Sequence, residues 1–108
     1  MTASNVTTVV GTLGTTEADL TGTTVPANEE WKVNLSLCNR TSAAVTHRIY
    51  LGDGTNKGYR TFDLTLGANS SIDVFRNEPV TTGFRIGGRA GAGASIDYTF
   101  TGVKRSTI

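Results

Sequence analysis

The residues that could do chemistry in this chain are few and dispersed. His47 is the only histidine and Cys38 the only cysteine. A Cys–His nucleophile pair needs a thiol activated by positive neighbours, with the imidazole in hydrogen-bond reach. No basic cluster surrounds Cys38 in the sequence, and His47 shares the apolar parity of its segment, which reads as packing rather than as a general base. One histidine and one cysteine also exclude a multi-histidine or Cys-rich metal site and any intramolecular disulfide. Asp53, Asp63, Asp73 and Asp97 fall on separate segments without calcium-loop spacing, as solvated strand and turn residues do. Asn5, Asn39 and Asn69 each begin an Asn-X-Ser/Thr pattern, which chance supplies in a chain this rich in Thr and Ser. The sequence therefore predicts no enzyme, no metal and no cofactor.

A second candidate is the glycine-rich stretch GGRAGAGA, Gly87 to Ala94. A phosphate-cradling loop needs a strand before it and a helix after it, whose first amides hold the anion. Here the following residues, Ile96, Tyr98 and Phe100, alternate as a strand does. The stretch is expected to be a hairpin loop with Arg89 at an exposed tip, its small residues open to a neighbouring backbone.

The elements that must position these residues are strands. Trp31, Val33, Leu35 and Leu37 alternate with Lys32, Asn34 and Ser36, the pattern of a half-buried strand with Trp31 in the core. After a polar turn over residues 39–44, Val45, His47, Ile49 and Leu51 repeat it, so the two segments read as antiparallel neighbours. Gly52 to Gly58 is a loop, since Asp-Gly and Asn tolerate the backbone angles of tight turns. Phe62, Leu64 and Leu66 alternate next; Ile72 and Val74 begin a strand that should stop near Pro79, which lacks a ladder donor. Further strands are expected at Val6–Leu13, near Leu20–Val25, at Val80–Ile86 and at Ile96–Phe100. The sum is an all-β chain: a single antiparallel β-sandwich, jelly-roll-like, of about eight short strands.

The totals agree with one domain over residues 1–108, which should bury about two-thirds of its unfolded surface. Residues 1–5 are small and polar and are expected to be an arm, flexible or ordered by a partner. Ten Lys and Arg against nine Asp and Glu leave +1, without the basic stripe that nucleic acid wants. The N-terminus has no signal-peptide pattern, and no apolar run is long enough for a membrane span. Synthesis in a cytoplasm is the expectation.

The order of these features carries a resemblance. TVPANEEWKVNLSLCNRTSAAVTHRIYL, then LTLGANSSIDVF, then SIDYTFTGVKR, resembles small β-sandwich virion structural proteins of tailed bacteriophages, of the capsid decoration or cement type, over residues 24–105. It implies a structural protein on the capsid surface, bound to the major capsid protein as a homo-oligomer, with a trimer favoured, and clamping contacts between capsomers. The alternative it leaves open is a tail, collar or fibre-associated module that binds another virion protein or a host glycan. On that reading the contact residues are arginines expected at loop ends, Arg40, Arg60, Arg85 and Arg89, with Tyr59 as aromatic partner, because Arg and Tyr combine area with directed hydrogen bonds at interfaces.

Overall fold

A computed structural model describes residues 4–21 and 25–106. Eight strands follow one another: β1 Ser4–Thr12, β2 Ala18–Asp19, β3 Glu29–Asn39, β4 Val45–Gly52, β5 Lys57–Leu66, β6 Ser71–Val80, β7 Arg85–Ala90 and β8 Ile96–Ser106. They form two antiparallel four-stranded sheets in the orders β1-β8-β3-β6 and β2-β7-β4-β5. Chain neighbours from β1 to β5 change sheet at β1/β2, β2/β3 and β3/β4, and the last strand returns beside the first. This is jelly-roll connectivity, and it bears out the expected fold class.

The inward sides of the sheets meet in an apolar core. On β3, Trp31, Val33, Leu35 and Leu37 are buried while Lys32, Asn34 and Cys38 are exposed, as the alternation requires. Trp31 sits at the edge of that core, with Nε1 donating to Glu29 at 2.9 Å and the Lys104 ammonium 4.5 Å from its ring centroid. Phe75 and Phe100 fill the centre, and Ile49, Ile86 and Ile96 close it from other strands. Each such side chain contributes about 1.5–3 kcal/mol relative to exposure.

Several expectations are corrected. The segments of β3 and β4, expected to pair as antiparallel neighbours, lie in opposite sheets, because the chain crosses over between them: β3 pairs with β6 and β8, and β4 with β5 and β7. Phe62 and Leu64 do not share the buried face with Leu66: they are 57% and 51% exposed. The ladder between β4 and β5 shifts register twice, between His47 and Ile49 and between Ile49 and Tyr50, and Asp63 adopts φ 51°. An added residue between Leu64 and Thr61 reverses side-chain parity, so Thr61 points inward where Phe62 was expected, while Leu64, still in the Leu66 register opposite His47, is exposed on this edge strand. Pro79 does not end its strand. It sits within β6 opposite Lys32, on a sheet edge where its missing N–H costs no ladder bond. Residues 81–84 form the turn into β7 rather than a strand.

The ends of the chain also differ in detail. Residues 1–3 of the expected arm lie outside the described residues, while Ser4 and Asn5 enter β1 in register with Arg105 and Lys104. Of the piece expected near Leu20–Val25, residues 22–24 lie outside the described residues; the strand is β2, just before it at Ala18–Asp19. Beyond it Leu20 N–H bonds the Ile86 carbonyl and Val25 N–H the Phe84 carbonyl, both at 2.9 Å.

Candidate functional site

The glycine-rich stretch resolves first. Gly87, Gly88 and Arg89 belong to β7, and the turn is confined to residues 91–95. Arg89 is therefore not a loop tip; it is a mid-sheet residue whose side chain is 27% exposed. The glycines serve packing. A Cβ on Gly87 would lie 2.3 Å from the Tyr50 ring, and one on Gly88 would lie 2.3 Å from the Arg48 carbonyl oxygen. Small residues here let the Tyr50 side chain lie over β7 and let β7 run close beside β4 in the same sheet.

That approach builds an outward face on the β2-β7-β4-β5 sheet. Arg48 on β4 and Arg89 on β7 are direct cross-strand partners. Like charges so placed repel, and Asp63 on β5 offsets both. Its carboxylate receives Arg48 Nε at 2.7 Å and Arg48 Nη2 at 2.9 Å, a two-pronged fork, and lies 3.7 Å from Arg89 Nη2. The hydrogen bonds from Arg48 hold the Asp63 carboxyl below its ordinary pKa and raise that of Arg48.

Glu17, just before β2, gathers a second group. It accepts from Lys57 Nζ at 2.7 Å and from the Tyr59 hydroxyl at 2.9 Å, and pairs with Arg48 Nη1 at 3.5 Å. Its pKa is lowered first by the Lys57 hydrogen bond, against some burial, and then by Tyr59; the same contacts raise those of Lys57 and Tyr59. Aromatic rings tile the space between. Tyr59 meets Tyr50 at 5.9 Å and Phe62 at 4.9 Å, both edge-on, while Arg48 lies 4.0 Å over Phe62 and Lys57 4.7 Å over Tyr50. Tyr50 is buried, but Tyr59 and Phe62 stay 38% and 57% exposed. Fixed aromatic edges beside mutually held charges suit recognition of a polar protein surface.

The five residues expected to make contacts thus divide. Tyr59 and Arg89 join this face, and Arg85 extends it along β7, 3.5 Å from Asp19. Arg60 instead turns to Glu78 on β6 at 3.0 Å and lies 5.1 Å over Phe75, bridging the edges of the two sheets. Arg40 pairs with Asp97 at 3.1 Å beyond the end of β3; Asp97 is held ionised mainly by the Thr12 hydroxyl and then by Arg40. Glu17, Arg48, Phe62 and Asp63 were not anticipated. For Phe62 and Asp63 the only sequence signal is a run of aromatic and charged residues over 57–63; Glu17 and Arg48 carry none, and assembling the four needs the register of β4 against β5 and the pairing of β2 with β7.

The remaining candidates carry no reaction. Cys38 is exposed on the outer side of β3, whereas His47 faces the interior, 1% exposed, so they form no nucleophile pair. His47 Nδ1 lies 2.9 Å from Thr61 Oγ1, and Nε2 is buried with no partner. The tautomer with its proton on Nδ1 donates to Thr61 and leaves only a lone pair unmet, which costs less than an orphaned N–H. Burial lowers the His47 pKa. Asn39 is fully buried, which seals the glycosylation pattern at that position; its amide donates to the Ala43, Leu66 and Gly67 carbonyls and its oxygen accepts from Thr41. Among the described residues no group of three or more His, Cys, Asp or Glu could hold a metal ion.

No protein-family model matches the chain, and no curated protein matches it in sequence. Solved structures match it in fold. A chain of the acid-stable capsid of Helicobacter pylori bacteriophage KHP30 superposes with TM-score 0.59 and 12% identity, over 100% of this chain and 95% of that one. A chain of Bacillus endospore appendages, a family of disulfide-linked pili, gives 0.58 and 16%, over 99% and 88%. Infectious bursal disease virus, Gx strain, gives 0.50 and 12%, over 97% of this chain but 32% of that one. What these chains share with this protein is the jelly roll.

Proposed function

We propose that this protein is a structural component of a phage virion, a capsid decoration or cement protein that binds the major capsid protein on the outer shell and stabilises contacts between capsomers. The observation that carries the reading is the fold match to a phage capsid chain that this chain spans end to end, with 95% of that chain covered in return. A jelly roll of this size has room for a docking face and little else. The outward face around Glu17, Arg48, Tyr59, Asp63 and Arg89 is the proposed contact with the shell, with Arg85 at its margin and Arg40 and Arg60 at separate contacts. Association as a homo-oligomer, a trimer on this reading, would multiply a modest interface, since linked copies rebind before all let go.

The exposed Tyr59 and Phe62 beside ionised groups favour one second reading, a tail or fibre module that stacks a host glycan on those rings. Immunogold labelling separates the two, using antibody against the purified protein and virions of the phage that encodes it. Gold over the head supports the cement reading. Gold confined to the tail or neck replaces it with the second, and unlabelled virions remove both.

A further inference from the structure

The four edges of the sandwich are not alike. Exposed strand edges invite pairing with other chains, and proteins blunt them with short strands, charges, prolines or bulges. β2 is two residues long. β5 carries Lys57, Arg60 and Asp63 and two register shifts against β4. β6 carries Pro79, Asp73, Arg76 and Glu78, and its ladder with β3 also shifts twice. β1 has none of these devices. Its nine residues pair with β8 without a break, contain neither proline nor charge, and leave Val6 and Val10 74% and 70% exposed. The first charged residue in the chain is Glu17.

The free backbone groups of this edge can be assigned. Leu13 N–H bonds the carbonyl of Ile96, its partner in the continuing register, at 2.8 Å. In an antiparallel ladder bonded and non-bonded pairs alternate, so odd-numbered residues of β1 spend their N–H and C=O on β8. Ser4, Val6, Thr8, Val10 and Thr12 point theirs away from the sheet.

We infer that two copies of this chain join along β1, antiparallel about a two-fold axis at Thr8, merging two four-stranded sheets into one of eight. Full overlap of the strand with itself sets Ser4 against Thr12 of the second copy, Val6 against Val10 and Thr8 against Thr8. The same register brings the outward-pointing groups into phase, for about ten ladder bonds. It also sets Val beside Val on the outer face, a favourable cross-strand pair. A charge-free strand meets its own copy without repulsion, which makes a second copy a better occupant than a charged segment. The contact does not rest on the cement reading. It uses the sheet β1-β8-β3-β6, not the β2-β7-β4-β5 sheet whose outward face carries the proposed shell contact.

Cysteine trapping in a Cys38→Ser background tests the register on the purified protein. At Thr8 the two-fold sets Cα atoms about 5.5 Å apart, within disulfide reach. At Val10 the two copies of that residue lie four positions out of register, on the order of 13 Å. Thr8→Cys should therefore oxidise to a covalent dimer and Val10→Cys alone should not, while a Val6→Cys/Val10→Cys double variant should. In parallel, Thr8→Pro removes an outward N–H and spares the ladder to β8, and should weaken concentration-dependent dimerisation at least about tenfold by sedimentation. Equal trapping at residues 8 and 10, or no trapping at either, overturns the inference. So does a natively folded Thr8→Pro variant that associates as before.

Discussion

Arg48 and Arg89 stand directly opposite each other on β4 and β7, and Asp63 reaches from β5 to lie against both, 2.7 Å from the first and 3.7 Å from the second. One carboxylate thus lets two cations occupy adjacent positions on an exposed face. The two hydrogen bonds fix the direction of the Arg48 guanidinium, and on the proposed docking role that pre-ordering would lower the cost of binding.

Removing that carboxylate's charge should expose the repulsion. Asp63→Asn keeps a residue that accepts the left-handed conformation at this position, so it isolates charge from backbone strain. The expected result is a small fall in the urea midpoint at low ionic strength that shrinks at high salt. Urea titrations at two salt concentrations check it.

His47 sets an acid limit. Its folded-state pKa lies below the ordinary 6.5 because burial disfavours the charged ring. The unfolded chain then binds more protons below pH 6.5, so stability is complete above that value and declines as the pH falls through it. Glu17, Asp63 and Asp97 also have lowered values and lose their contributions only at lower pH, in the carboxylate range. His47→Leu should flatten the first decline and leave the second. Thermal melts from pH 7.5 downward in both proteins measure the difference.

The close pairing of β7 with β4 predicts an asymmetry among glycines. Gly88→Ala places a methyl against the Arg48 carbonyl, a backbone atom that cannot rotate away, and should cost about 1–3 kcal/mol or more. Gly14→Ala meets nothing within 4 Å and should be nearly neutral. Denaturant midpoints of the two variants give the comparison.

Asn39 ties the end of β3 to the turn before β4 and to the end of β5. Its amide nitrogen serves the carbonyls of Ala43, Leu66 and Gly67 at 2.8, 3.1 and 3.2 Å, and its oxygen takes the Thr41 N–H and hydroxyl. Asn39→Ala strands these groups and should cost about 2–4 kcal/mol. Asn39→Asp should be at least as damaging, because an ionised carboxylate cannot donate to three carbonyls. Equilibrium unfolding of both variants checks the order.

The alternation of Trp31 to Leu37 and of Val45 to Ile49 by itself determined two strands and the face each buries, because a period of two leaves only one way to hide four apolar side chains. The sequence also bounded the chemistry: one histidine and one cysteine cannot build a multi-histidine or Cys-rich metal site or an intramolecular disulfide. It did not determine the parity of β5. Phe62, Leu64 and Leu66 alternate as well as any strand, yet the bulges against β4 reverse the pattern and put Phe62 outside with Arg48. An aspartate at positive φ is permitted rather than demanded by its own side chain, so only pairing with β4 selects it. Sheet order was equally a tertiary decision. β1 finds β8 at the other end of the chain, and β2 finds β7, through contacts between segments too distant for any local pattern to encode. The same long-range pairing gathers Glu17, Arg48, Tyr59, Asp63 and Arg89 on one face and, among the described residues, leaves the outer edge of β1 without a paired strand.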